Sequence, residues 1–385
     1  MINCTRRNFL IGGTASVFLT GISNSIRATT SEKKNLIIIS LRGGMDGLSA
    51  VPVIGDKNLQ KKRKKLILEE TLKLDSDFAL HPKLHVFHNL WKNNQAAIVH
   101  ATSIPYTGRS HFDGQNLMES GGVVPYKEKT GWLGRGMLSA GYVGEGLALA
   151  LPMPLLLRGV PLNDNYYPAK GKMPSDYVLD TLFSAYKENG DINLEMVMDI
   201  IRKRPVSMMT AGSSRNNKSL ARQTAMLLRN KHGPSVAVFE LGGFDTHAAQ
   251  GTVDGLLADQ LEDVNSIVKI LAENLGDAFN NTLILTLTEF GRTIKQNGGN
   301  GTEHGWGGAI LMAGGLIKKS QAYTDWPGLK KKQLFEGRDL MSTLDARAVY
   351  NAAMSVCFDT DPEQLRRDVF WKDNLPNLTE SLFKV

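Results

Sequence analysis

An α/β fold, with a mostly parallel central sheet and helices on both faces, is predicted by three features of this 385-residue sequence. Short continuous runs of β-branched and aliphatic residues mark strands buried on both sides, and amphipathic helical runs alternate with them. Polar, glycine-flanked motifs stand where the apolar runs stop. Ligands of such sheets bind beyond the carboxyl ends of the strands, so these motifs are where a site is expected.

The first element is an address. Thr5-Arg6-Arg7-Asn8-Phe9-Leu10 precedes a weakly apolar, Gly- and Ser-containing stretch to about Ile22. It resembles a twin-arginine signal peptide, with cleavage expected near Ala28 although Ile26 is larger than the usual small residue. Residues 1–28 are therefore read as signal and 32–385 as a single α/β domain. The resemblance implies export by the twin-arginine translocase to the periplasm, and folding before export, often with a metal inserted. No later stretch approaches about 18 uninterrupted apolar residues, so no stable membrane span is expected after cleavage.

Strands follow at residues 35–41, 96–101, 235–241, 282–287 and 309–313. Helical patterns lie between them at 84–91, 112–119 and 253–275, the last with Leu257, Leu261, Val264, Ile267, Val268 and Leu271 on one face. Residues 52–79 are polar and lysine-rich, a surface excursion. The less periodic run at about 122–229 is read as an insertion or cap.

Composition excludes several classes. With 42% hydrophobic and 22% charged residues, 38 Gly and 14 Pro, the chain is neither disordered nor fibrous. The formal charge of +7 falls to +4 without the three arginines of residues 1–28, a balance that does not point to nucleic acid. Basic clusters at Lys61, Lys62, Arg63, Lys64 and Lys65 and at Lys330, Lys331 and Lys332 read as solvated faces, with an anion-binding strip as the alternative. Cys4 and Cys357 form no disulfide framework, and Cys357, after an apolar helical run, reads as a small buried hydrophobe.

Chemistry gathers at the strand ends. Strand one delivers Asp46, the third Asp245 and His247, the fourth Glu289 and Arg292, and the following glycine-rich loop His304. Carboxylates and imidazoles together suit zinc, manganese or a similar divalent ion, which also relieves the repulsion among crowded carboxylates. Each residue has a plainer role open to it: Asp46 a turn residue, Asp245 a helix cap, His247 a satisfied core histidine. Ser110 stands at a helix start, as a simple N-cap or as an oxygen nucleophile, with His111 and Asp113 beside it. Arg109 and Arg292 are candidates to clamp the oxygens of an anionic ester. His81, His85, His88 and His100 are assigned to the packing of the helix and the second strand.

The motifs Leu41-Arg42-Gly43-Gly44-Met45-Asp46-Gly47-Leu48, Gly108-Arg109-Ser110-His111-Phe112-Asp113, Gly243-Phe244-Asp245-Thr246-His247, Thr288-Glu289-Phe290-Gly291-Arg292 and Gly301-Thr302-Glu303-His304-Gly305 resemble those of the family called domain of unknown function 1501. Through it the chain resembles the alkaline phosphatase and sulfatase superfamily over nearly its whole mature length. That resemblance implies an alkaline phosphatase-like fold with two divalent ions. Asp46 and Glu289 would hold one ion, Asp245, His247 and His304 the other, and Ser110 would be the nucleophile. Family members are often encoded beside domain of unknown function 1800, which implies a protein partner. Departures are Phe290 where the superfamily commonly has histidine, a shorter Asp245 to His247 spacing, and Ser120-Gly121 one residue too far from Ser110. Cys-x-Pro-x-Arg is absent, so a formylglycine sulfatase is not expected.

The function expected is an exported, metal-dependent hydrolase of phosphate or sulfate esters, acting on a small anionic ester or a glycan. The alternative is a catalytically inactive metal-binding or assembly protein of the same fold. A metal-dependent mutase or transferase is a third reading.

Overall fold

Asn35–Leu41, seven residues with every position buried, forms β1 at the middle of the sheet. Its alternating sides feed two separate cores: Ile37, Ile39 and Leu41 one, Leu36 and Ile38 the other. A computed structural model describes residues 32–149, 152–165, 176–188 and 216–385. The twin-arginine segment and the expected cleavage near Ala28 lie outside the described residues.

After β1 come two short helices, α1 (Gly47–Ala50) and α2 (Lys57–Lys62), a small hairpin of β2 (Leu72–Lys73) and β3 (Ala79–Leu80), and α3 (His85–Lys92). Strand β4 (Ala96–Ser103) leads to α4 (His111–Ser120), whose chain reverses at Gly121, a left-handed C-cap with φ of 70°. Then follow α5 (Trp132–Ser139), β5 (Gly146–Ala148), β6 (Asp164–Asn165), α6 (Asp176–Glu188) and α7 (Asn217–Leu228). Strand β7 (Val236–Leu241) precedes α8 (Leu256–Leu275), and β8 (Thr282–Leu287), β9 (Gly308–Ala313), β10 (Ala322–Tyr323) and β11 (Leu344–Asp345) complete the strands. The chain ends through α9 (Ala346–Phe358), α10 (Pro362–Val369) and α11 (Thr379–Leu382).

The order across the sheet is β10-β4-β9-β8-β1-β7-β5-β6, with β11 also on β4. β1 pairs in parallel with both neighbours, Ile38 lying opposite Val238 on β7 and Leu285 on β8. β9 runs antiparallel to β4 and β8, and every other pairing in this sheet is parallel. The sheet is thus mixed and mostly parallel.

Helices cover both faces. On one, α8 lays Leu257, Leu261, Val264, Ile267, Val268 and Leu271 into the core, each no more than 1% exposed. At roughly 1.5–3 kcal/mol for each buried side chain, this stripe is among the larger favourable contributions. On the other face α9 is buried throughout, with Asp345 capping it by accepting from the Arg347 amide. Cys357 lies there, its thiol pushed up by burial. In the described part of the 122–229 run, α5 packs in the second core and β5 hydrogen-bonds to β7 within the sheet. Three residues of strand are too few for alternation to announce them. No helix among the described residues is long and apolar enough to cross a membrane.

Candidate metal centre

The carboxyl ends of β1, β7 and β8, the start of α4 and the loop before β9 meet at one point. Arg292 fastens them together. Its guanidinium, wholly buried, donates to Gly44 O (2.7 Å), Gly43 O, Thr302 O (3.0 Å), Phe244 O (3.0 Å) and Asp245 Oδ1 (2.6 Å). Gly43 makes this closure sterically feasible: at φ of 119°, a Cβ there would stand 2.5 Å from the Asp245 amide nitrogen.

Three imidazoles surround Asp245. His247 Nε2 lies 3.0 Å and His304 Nε2 3.1 Å from Asp245 Oδ1, and the two nitrogens are 2.9 Å apart. His111 Nε2 approaches Asp245 Oδ2 at 3.3 Å without forming a hydrogen bond, a buried nitrogen left orphaned in the middle of the cluster. Ligand atoms of His111, Asp245 and His304 all fall within 4.8 Å of one another.

Each ring is oriented from behind. His111 Nδ1 faces Glu289 Oε1 at 2.8 Å, His247 Nδ1 faces Glu303 Oε2 at 2.8 Å, and His304 Nδ1 faces the Arg109 carbonyl at 2.8 Å. A carbonyl only accepts, so His304 carries its proton on Nδ1 and turns a bare Nε2 lone pair inward. The carboxylates ask the same of His111 and His247. Oxygen acceptors behind Nδ1, with Nε2 converging, are the usual outer support of metal-bound histidine. His111, Asp245 and His304 form a triad that could hold a metal ion, with His247 Nε2 beside Asp245 and His304.

The electrostatics agree. Burial opposes charge on Asp245, yet the hydrogen bond and charge of Arg292 hold its carboxyl down at about 2. Burial works against ionised Glu289 too, but bonds from His111, Gln115 and the Gly43 amide keep it lowered. The bond to Glu289 raises His111. Burial, and after it the nearby charges of His111 and Arg292, lowers His304 toward the neutral form a ligand requires.

Sequence expectations divide here. Asp245, His247 and His304 come together, and Glu289 stands behind His111 instead of in the cluster. His111 is the residue least visible beforehand; its signal was only its place beside Ser110. Asp46 stands apart from this cluster, paired with Arg63, with its Oδ1 buried and unbonded. Its Oδ2 accepts from Arg63 Nη1 (2.6 Å), Ser49 Oγ (2.7 Å) and Gln250 Nε2 (2.7 Å), and burial is outweighed by Arg63 so that the carboxyl stays lowered. Neither arginine is a free clamp. Arg292 is spent on the loops, and Arg109 is ion-paired with Asp339 and Glu336, both at 2.6 Å. Phe290 is 2% exposed and packs its ring 4.9 Å from both His111 and His304, an apolar floor beneath the two imidazoles. Ser110 is half-buried and makes no side-chain capping bond, so its hydroxyl is not consumed by the helix.

A partly exposed histidine–carboxylate cluster at the carboxyl ends of a mostly parallel sheet is the class that fold and site define. The model of the family described as "Protein of unknown function (DUF1501)" matches residues 180–363, a span holding the last three of the five motifs. No curated protein matches the sequence significantly. Similar solved structures include Ps i-CgsB in complex with k-i-k-neocarrahexaose, at 12% identity and a TM-score of 0.46 over 91% of this chain and 76% of that one. Another is the zinc complex of the C-terminal periplasmic domain of EcEptC from Escherichia coli, at 11% identity and 0.38 over 74% and 73%. A third is the phosphonate monoester hydrolase of Agrobacterium radiobacter, at 14% and 0.30 over 73% and 68%. At such scores nothing of their chemistry transfers to this chain.

Proposed function

We propose that the protein is an exported, metal-dependent hydrolase of phosphate or sulfate esters. The observation that carries this is the common orientation of His111, His247 and His304, each with Nδ1 against an oxygen and Nε2 toward Asp245. A divalent ion there would supply Lewis-acid polarisation of the ester oxygens. Ser110, one residue before His111 and free of capping duty, is the candidate oxygen nucleophile. Its attack on phosphorus or sulfur would expel the alcohol and leave a seryl ester, which water then hydrolyses. Glu289 and Glu303 fix the rings, and the Phe290 floor excludes water beneath them. Export rests on the twin-arginine pair, and the periplasm is the compartment it addresses.

The test is elemental analysis of the folded protein with a panel of phosphate and sulfate esters, beside Ser110→Ala and His304→Ala. Bound metal lost in His304→Ala, and turnover lost in both variants, is expected. Turnover that survives His304→Ala would sink the reading.

A second reading, a metal-binding or assembly protein without turnover, is favoured by one observation. The Arg63 guanidinium neutralises Asp46, which leaves the described residues with one cation cluster. Metal binding with no hydrolysis of any ester in the panel would select it.

A further inference from the structure

We infer that Asp339 is a positioning residue for the cluster: through the Arg109 guanidinium it holds the Arg109 backbone at positive φ, and that turn presents the carbonyl that fixes the tautomer of His304. The inference rests on the metal-dependent reading above for its purpose, while the tautomer is readable without any ion.

Arg109 sits at φ of 59°, a region that a residue with a Cβ disfavours. Its neighbours hold it there. The guanidinium donates to Asp339 Oδ2 from Nε at 3.1 Å and from Nη2 at 2.6 Å, and Nη2 donates to Glu336 Oε2 at 2.6 Å. On the next residue the Ser110 amide donates to the Tyr106 hydroxyl at 3.1 Å. Between these two anchors stands the Arg109 carbonyl, 2.8 Å from His304 Nδ1. Behind His111 and His247 the acceptors are the carboxylates of Glu289 and Glu303, which their own side chains place. Behind His304 the acceptor is a carbonyl, and only the backbone can aim it.

Of the two acids, Asp339 is the fixed one. Its side chain is fully buried, whereas that of Glu336 is 56% exposed. Backbone bridges tie Asp339 to Phe335 and to Thr293, the residue after Arg292, so the carboxylate is set against the same segment that Arg292 fastens. Arg338 donates to the His304 carbonyl at 2.9 Å. Residues 338 and 339 therefore grip His304 by its backbone and, through Arg109, by its ring. Asp339 Oδ1 is buried without a partner. Packing alone does not call for such a carboxylate, because its burial is unfavourable; what it supplies is the pair with Arg109. Released from Asp339, Arg109 would leave the strained region and take its carbonyl off Nδ1. His304 would then carry its proton on Nε2 in part of the population, and a protonated nitrogen cannot ligate.

Two measurements on the full protein test this. One is zinc affinity by competition with a chromophoric chelator. The other is the His304 tautomer in the metal-free protein, from long-range proton–nitrogen spectra above neutral pH, with the signals assigned by their loss in His304→Gln. The wild type is expected to hold its proton on Nδ1. Asp339→Asn should weaken zinc binding about tenfold, as loss of outer support does, and should mix the two tautomers. Arg109→Ala/Asp339→Asn and Arg109→Gly/Asp339→Asn remove the same charges and differ in what the turn tolerates. Glycine adopts positive φ without penalty, so the glycine variant should bind zinc about fivefold or more tighter than the alanine variant and keep more of the Nδ1–H tautomer. Circular dichroism verifies each fold. A merely structural ion pair predicts equal losses in the two double variants; that result, or Asp339→Asn with wild-type affinity and a single tautomer, would overturn the inference. A wild type that binds no zinc yet shows the Nδ1–H tautomer, mixed in Asp339→Asn, would end the metal-dependent reading and still support the positioning role.

Discussion

Arg63 Nη1 lies 2.6 Å from Asp46 Oδ2, with both side chains 1% exposed. The guanidinium also donates to Ser49 Oγ and the carbonyls of Thr293 and Ile294, so it clamps the end of β1 to the segment after β8. Removing one partner of a buried pair strands the other charge, at a cost of about 3–5 kcal/mol. Arg63→Met is therefore expected to lower the melting temperature by several degrees. Asp46→Asn/Arg63→Met should recover most of the loss, because no uncompensated charge remains. A calorimetric melt of the three proteins decides it; a double variant no better than the single one contradicts this account.

The same pair predicts where metal does not bind. Asp46→Asn, in a protein that still folds, is expected to retain the ion held by the wild type. His247→Ala and His304→Ala should each lose most of it, since their Nε2 atoms face Asp245 at 3.0 and 3.1 Å. Metal content after gel filtration distinguishes these outcomes, and loss in Asp46→Asn alone would restore Asp46 as a ligand.

These corrections mark how much of the molecule was readable in advance. β1, β7 and β8 were plain because both faces of each are buried, which demands unbroken apolar runs. β5 was not, since three residues carry no period. Asp245, His247 and His304 were legible as polar residues in glycine-flanked motifs after strands. The fate of Asp46 was hidden, because Arg63 sat within a lysine run and read as one more solvated charge. Only the packed chain brings its head to Asp46 and spares it from water. His111 was hidden for a related reason: its partner Glu289 is contributed by the end of β8, far along the chain.

His100 supplies a pH dependence away from the cluster. Its Nδ1 accepts from the Ala101 amide at 2.8 Å, and a donating amide requires that nitrogen to be unprotonated; Nε2 donates to Val51 O at 3.1 Å. Burial holds the neutral ring and brings its pKa down to about 4. Unfolded, the residue titrates near 6.5. Between those values the unfolded chain binds the extra proton, so this contribution is intact above about pH 6.5 and falls away as pH drops toward 4, by roughly 3 kcal/mol in all. His100→Gln should flatten that part of the stability curve, measured by urea unfolding at pH 4.5, 5.5 and 7. An unchanged slope would show that His100 is not its source.

Glu289 tests whether the rings are held for metal or merely packed. The carboxylate is fully buried and receives His111 Nδ1 at 2.8 Å, Gln115 Nε2 at 3.1 Å and the Gly43 amide at 2.8 Å on a single oxygen. Glu289→Gln keeps the shape and an acceptor oxygen but removes the charge that makes His111 basic. Loss of such outer support typically weakens metal binding about 10- to 100-fold. Zinc affinity by competition with a chromophoric chelator is expected to fall by about tenfold or more, with the far-ultraviolet circular dichroism unchanged. Glu303→Gln, behind the more exposed His247, should cost less, because solvent screens the lost charge. If both substitutions leave zinc affinity as it was, Glu289 serves only to satisfy a buried amide and ring, and His111 is not drawn into binding the ion.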